Sequence, residues 1–198
     1  GDTTGTIDVA ITDDLTAEQL AESFTLTITN IDAGGASVSF AEDNQALGTI
    51  TDNDSATLTV TNISQSEADG TFTFDVTLSG EVDTGFDVDY ATADDTAVAG
   101  TDYTAAAGTL SFTGVDGETQ SFTVSVTNDA EVEPNEVFNV LLSNLTLDPS
   151  YDVTLIDGTG TIEDNDAAAT LTFDDVADNE CSPTGKINFT VSLNQAIE

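Results

Sequence analysis

Between residues 55 and 166 apolar and polar positions alternate in short runs. A period of two is that of a strand with one face in a core and the other in solvent. Seven runs stand out, near 56–63, 71–79, 86–92, 107–112, 120–127, 136–143 and 158–163. TFTFDVTLS at 71–79 shows the pattern plainly. Between the runs lie Asp69-Gly70, Ser79-Gly80, Gly100, Gly114 with Asp116-Gly117, Pro134 and Asp157-Gly158. These are residues that tight turns need, for their backbone freedom or their side-chain oxygens. Seven short strands in roughly 110 residues predict an all-β fold, a sandwich of two sheets.

The pattern repeats. ITDND at 50–54 returns as IEDND at 162–166, and ATLTV at 56–60 returns as ATLTF at 169–173. TFTFDVTLS at 71–79 matches KINFTVSLN at 186–194. Upstream, 7–30 aligns with 122–144 once a single residue is inserted. A period of this length marks tandem modules. The expected division is the back half of one module at 1–54, a whole module at 55–166 and the front of a third at 167–198. AEQLAES at 17–23 has some helical propensity, but its alignment with the loop at 132–137 allows one helical turn at most.

Composition narrows the partners. The chain of 198 residues has 38 Asp and Glu against one basic residue, Lys186, and no His, a formal net charge of −37. The recurring Thr, Val, Ile and Phe argue against a disordered acidic tail. A folded chain so charged needs cations from its medium. Nucleic acid is excluded, because phosphate binding requires Lys and Arg. Anionic membrane surfaces are excluded on the same ground. No apolar run approaches the roughly 20 residues that span a bilayer, so direct membrane insertion is not expected. No signal-peptide pattern opens the chain, which reads as mid-protein or as a processed mature end. Cys181 is the only cysteine, surrounded by acids, and reads as a spectator.

The acids are not evenly placed. Successive antiparallel strands reverse direction, so alternate loops share one end of a sandwich. At one end fall Glu67 and Asp69, then Asp94, Asp95 and Asp102, then Asp129, Glu131, Glu133 and Glu136, and finally Glu163, Asp164 and Asp166. The other end holds Glu81, Asp83, Asp116, Glu118, Asp148, Asp152 and Asp157, several of them beside Gly or Pro as turn formers. Carboxylates that converge without Lys or Arg cannot all stay ionised unless something neutralises them. Calcium, a hard cation taking six to eight oxygens in flexible geometry, suits such a cluster. Zinc would want His or Cys ligands.

At this point the residues resemble a known family. TADDTAVAGTDYTAAAGTLSF (92–112), ETQSFTVSVTND (118–129), EPNEVFNVLLSN (133–144) and GTGTIEDND (158–166) resemble the Calx-β domain. That module occurs in sodium–calcium exchangers, in an integrin and in long repetitive bacterial surface proteins. The resemblance implies immunoglobulin-like antiparallel sandwiches in tandem that bind Ca2+ at one end. By position it implies metal ligands at Glu67, Asp94, Asp129, Glu133, Glu136, Asp164 and Asp166. It extends them to Asp13, Asp14, Glu18, Glu22, Asp52 and Asp54 in the N-terminal piece and to Glu180 in the C-terminal piece. Asn128 and Asn165 depart from the pattern, standing where calcium-sensing members often have Asp. An amide can ligate through its carbonyl but brings no charge.

Catalysis finds little material. There is no His to serve as a base, nothing to activate Ser or Thr, and no Trp and only three Tyr to hold a sugar. An enzyme is not expected. The expectation is a calcium-binding extension region of an extracellular, bacterial surface or adhesion protein, with calcium stiffening the module junctions. Its expected partners are neighbouring Calx-β modules in the same chain or in adjacent subunits. An alternative is the subunit of an extracellular filament or sheath whose half-modules are completed by neighbouring chains.

Overall fold

In the computed structural model the described residues are 4–40, 44–168, 170–177 and 187–194. Glu180, Cys181, Lys186 and Ala169, at which the third repeat's strand pattern resumes, lie outside them. The strands in chain order are β1 (Thr16–Ala17), β2 (Ala21–Thr27), β3 (Gln45–Thr51), β4 (Ala56–Val60) and β5 (Ile63–Ser66). Next come β6 (Thr71–Ser79), β7 (Glu81–Val82), β8 (Phe86–Asp94), β9 (Ala107–Phe112) and β10 (Thr119–Ser125). The last are β11 (Glu136–Ser143), β12 (Val153–Ile156), β13 (Gly158–Glu163), β14 (Leu171–Phe173) and β15 (Val191–Leu193).

Two sheets form the central sandwich. One runs β10-β6-β4-β12 and the other β5-β13-β11-β8-β9. Most neighbours are antiparallel, but β4 pairs with β12 and β5 with β13 in parallel. The reason is topological: the first and last runs of the sandwich point the same way and meet at its edge. Each of those runs is also divided. Thr61 N donates to Asp75 O, after which the chain leaves one sheet for the other. The expected strand at 56–63 is therefore two strands, β4 and β5, and β12 precedes the expected strand at 158–163.

Alternation does what the pattern implied. In β6, Phe72, Phe74, Val76 and Leu78 are fully buried, while Thr71, Thr73, Asp75 and Ser79 face solvent. Across the core Phe138 stacks on Tyr103 at 4.5 Å and meets Phe74 edge-on at 5.8 Å. Such pairs add about 0.5–1.5 kcal/mol to what their area contributes. Gly160 makes room for this cluster: a β-carbon there would run into the Phe138 ring.

Outside the sandwich, β2 and β3 form a two-stranded antiparallel sheet, and β14 pairs with β15. Phe24 lies over Gly48 as Phe138 lies over Gly160, so the repeat is kept in packing as well as in sequence. The stretch 17–23 is strand rather than helix from Ala21 on. Just before it, β1 pairs in parallel with β7 in a two-stranded sheet of their own. Ala17 is fully buried within the same apolar cluster as Val82 and Phe86. Asp83 N donates to Ala17 O at 3.3 Å and Leu20 N to Ser150 O at 3.1 Å.

Candidate metal centre

The site is built around Glu67. A single 3-10 turn, Glu67–Asp69, joins β5 to β6. Ser66 Oγ accepts from Ala68 N at its start, and Gly70, at φ 66°, closes it by donating to Glu67 O. A side chain at Gly70 would be strained in that left-handed conformation. The turn aims Glu67 into the end of the sandwich, where it is only 3% exposed.

Two other segments reach the same place. The loop after β10 brings Asp129 and Glu133, and the segment after β13 brings Asp164 and Asp166. Asp129 Oδ1 accepts from Glu131 N at 2.8 Å, and Asp164 Oδ1 accepts from Asp166 N at 3.1 Å. These short Asx turns fix the backbone on either side of the cluster. Glu67, Asp129 and Glu133 offer oxygens within 4.8 Å of one another, and so do Glu67, Asp164 and Asp166. Glu67 is the shared corner. Glu136 and Asp102 line the same cleft.

Electrostatics mark the spot. Burial pushes the Glu67 carboxyl above its ordinary value; the backbone N–H of Asn165 works against this, and Asp129, Asp166 and Asp164 push it further up. Asp166 Oδ2 is buried and has no hydrogen-bond partner among the described residues. A buried carboxylate oxygen left without a donor is costly, and a cation removes that cost. The donor set is all oxygen, from three separate segments, as a hard divalent ion requires. The residues fit a calcium-like ion.

Asp94 is tied into its own loop through one oxygen. Its Oδ1 accepts from Tyr103 OH at 2.6 Å and from Ala99 N at 2.9 Å, which holds the loop between β8 and β9. Those two bonds, Tyr103 first, lower its pKa. Asp102 instead lines the cleft while its Oδ2 accepts from Val98 N at 2.6 Å. Asp102 belongs to the same acidic loop as Asp94, and loop membership alone could not tell which acid turns inward.

The N-terminal acids gather too. Asp13, Asp14, Glu18, Glu22, Asp52 and Asp54 line one pocket. Its backbone scheme repeats that of the first site: Thr16 N donates to Asp14 Oδ1 and Asp54 N to Asp52 Oδ1. Glu18 N also donates to Asp52 Oδ2. Burial and then the neighbouring carboxylates raise the pKa of both Glu18 and Asp54. One carboxylate acting on Glu18 is Asp83, which comes from the sandwich. Among the described residues, however, the close triads all belong to the Glu67 site.

At the opposite end of the sandwich several acids accept hydrogen bonds from nearby groups. Gly80 N donates to Asp116, Ser150 N to Asp148, Leu142 N to Asp157, and Tyr151 OH to Asp83. Those carboxylates hold turns.

The model of one family, the Calx-beta domain, matches residues 1–54 and again 49–176. The chain belongs to the Calx-beta family. It carries a β-sandwich module of that family and is not an enzyme. A Calx-beta crystal structure, the apo form of the Calx CBD1 domain, is 32% identical with a TM-score of 0.50; the match covers 57% of this chain and 100% of that one. The CBD12 pair from CALX1.2 is 31% identical with a TM-score of 0.51, covering 60% of this chain and 49% of that one. This Calx-beta chain thus matches about half the length of that pair. Comparison with curated full-length proteins finds no match. Among the described residues no helix is long and apolar enough to cross a membrane.

Proposed function

We propose that this chain binds calcium through Glu67, Asp129, Glu133, Asp164 and Asp166, and through the equivalent N-terminal pocket. The observation that carries the reading is the buried Glu67 carboxylate shared by two carboxylate triads, beside an Asp166 oxygen with no donor. One solved relative is described as a calcium binding domain. The chain parses into the back half of a module at 1–54, a whole module at 55–166 and the front of a third at 167–198. It serves as an extension region of an extracellular bacterial surface or adhesion protein. Asp52 and Asp54 sit immediately before β4, so a cation there braces the seam between neighbouring modules. Without it, like charges at the seam repel one another.

Thermal melts with calcium and with excess chelator at equal ionic strength test the binding; a ligand of the folded form alone must raise the melting temperature. Identical melts would defeat the reading. Small-angle scattering of a longer array tests the bracing: calcium should give a longer, narrower distance distribution, and an unchanged one would confine the ions to single modules.

A second reading has its own support in the apolar side chains outside the sandwich, such as Ile7 at 60%, Phe173 at 68% and Phe189 at 66% exposure. In that reading the chain is a filament or sheath subunit, and strands from adjacent subunits complete its partial modules. Sedimentation across a concentration range separates the two.

A further inference from the structure

One contact at the acidic end contains no carboxylate. Asn165 Nδ2 donates to Asn128 Oδ1 at 2.8 Å. The two amides belong to the two segments that supply most of the cluster: Asn128 precedes Asp129, and Asn165 lies between Asp164 and Asp166. The backbone N–H of Asn165 meanwhile donates to Glu67 Oε1 at 3.4 Å. The segment leaving β10 is thus tied to the segment leaving β13, beside both triads and without charge.

The N-terminal pocket carries a different version. Asn53 stands where Asn165 does, but Asp13 stands where Asn128 does. Asp13 lines the same pocket as Asp52 and Asp54. Three-carboxylate groups within 4.8 Å occur, among the described residues, at the site that has the amide pair and not at this one. The pair with no charge accompanies the tighter cluster.

We infer that the Asn128–Asn165 pair is a neutral latch that limits how many cations the central site takes and holds its two segments together when no cation is bound. This rests on the calcium reading above. Two amides satisfy each other. Two carboxylates at that separation cannot both stay ionised unless a cation lies between them. Asparagine at both positions therefore removes the need for a further ion, and aspartate at both would create it.

The test uses the full chain, with calcium titrations by calorimetry and melts in chelator. Asn128→Asp with Asn165→Asp should bind one more calcium per chain. In chelator it should melt several degrees below wild type, or fail to fold there and fold once calcium is added. Asn165→Asp alone leaves the Asn128 amide free to donate to the new carboxylate, so it should fold in chelator and bind calcium several-fold more tightly at unchanged stoichiometry. The latch is overturned if the double variant keeps the wild-type stoichiometry or its chelator melt. Should the double variant fold under neither condition, an unchanged affinity in the single variant overturns it instead. A wild-type chain that binds no calcium defeats the calcium reading and the ion limit together, and a double variant that then melts in chelator with wild type defeats the latch as well.

Discussion

Glu67 is 3% exposed, and the charges that act on it from Asp129, Asp164 and Asp166 share its sign. In the absence of a cation its ionised form opposes folding. An uncompensated buried polar group costs about 1–3 kcal/mol, and a charged one more. Glu67→Gln should therefore act in opposite directions. It should raise the melting temperature in chelator, and in calcium it should weaken binding and lower the melting temperature. A variant that lowers both would make Glu67 a purely structural residue. The pH dependence has a definite sign. The Glu67 carboxyl titrates above its ordinary value in the folded chain, as do Glu18 and Asp54. The folded chain then holds more protons through that window, so stability falls as pH rises through it and stays low above. Asp94 and Asp148 are shifted the other way, Asp94 chiefly by Tyr103 and Asp148 by the Ser150 backbone. Their contribution is complete above the ordinary carboxylate range and is lost only as pH falls below it. Mild acidification from neutrality should accordingly stabilise the chelated protein. With calcium present it should destabilise, because protons compete for the ligands. Melts across pH in both conditions check the crossing of signs.

At the scale of elements, Gly160 in β13 is held open by the Phe138 ring. Gly160→Ala forces that ring away from Tyr103 and Phe74, and overpacking of this kind costs about 1–3 kcal/mol. Chemical denaturation of the full chain should show the loss. Strands such as β6, β9 and β11 were legible in the sequence, because one buried face imposes the period of two. The break at Thr61 was not, since it depends on pairing with Asp75, which is distant in the chain. β12 was hidden for a related reason: its inward residues Val153 and Leu155 are only half-buried at a sheet edge. β1, two residues long, exists through β7. The site divides the same way. Repetition and loop position brought Glu67, Asp129, Glu133, Asp164 and Asp166 to one end before any coordinates. The bonds of Asp94 with Tyr103 and of Asn165 with Asn128 depend on side-chain direction, which spacing does not encode.

At the scale of the molecule, the loop that carries Asp14 and Glu18 is also the loop that seats Ala17 against the sandwich. Ala17 has no exposed surface, while Leu15, two residues away, is 82% exposed. A large charged side chain cannot occupy that seat. Ala17→Arg should open the seam, and the amides of Leu20 and Asp83, which donate across it, should exchange about tenfold faster or more. Amides in β6 should keep their protection. Unchanged exchange at Leu20 and Asp83 would show that the seam stands without the alanine.

The parallel pairing of the sandwich's outermost runs also decides how it bears force. β4 begins at Ala56 beside Val153, and β13 finishes at Glu163 beside Ser66. A pull on the two ends of the sandwich lies along these strands. The four registered pairs of β4 with β12 and the four of β5 with β13 must slide together and cannot open one at a time. Resistance to tension then depends on the rate of unfolding more than on equilibrium stability. A sandwich joined in this way resists being peeled open strand by strand.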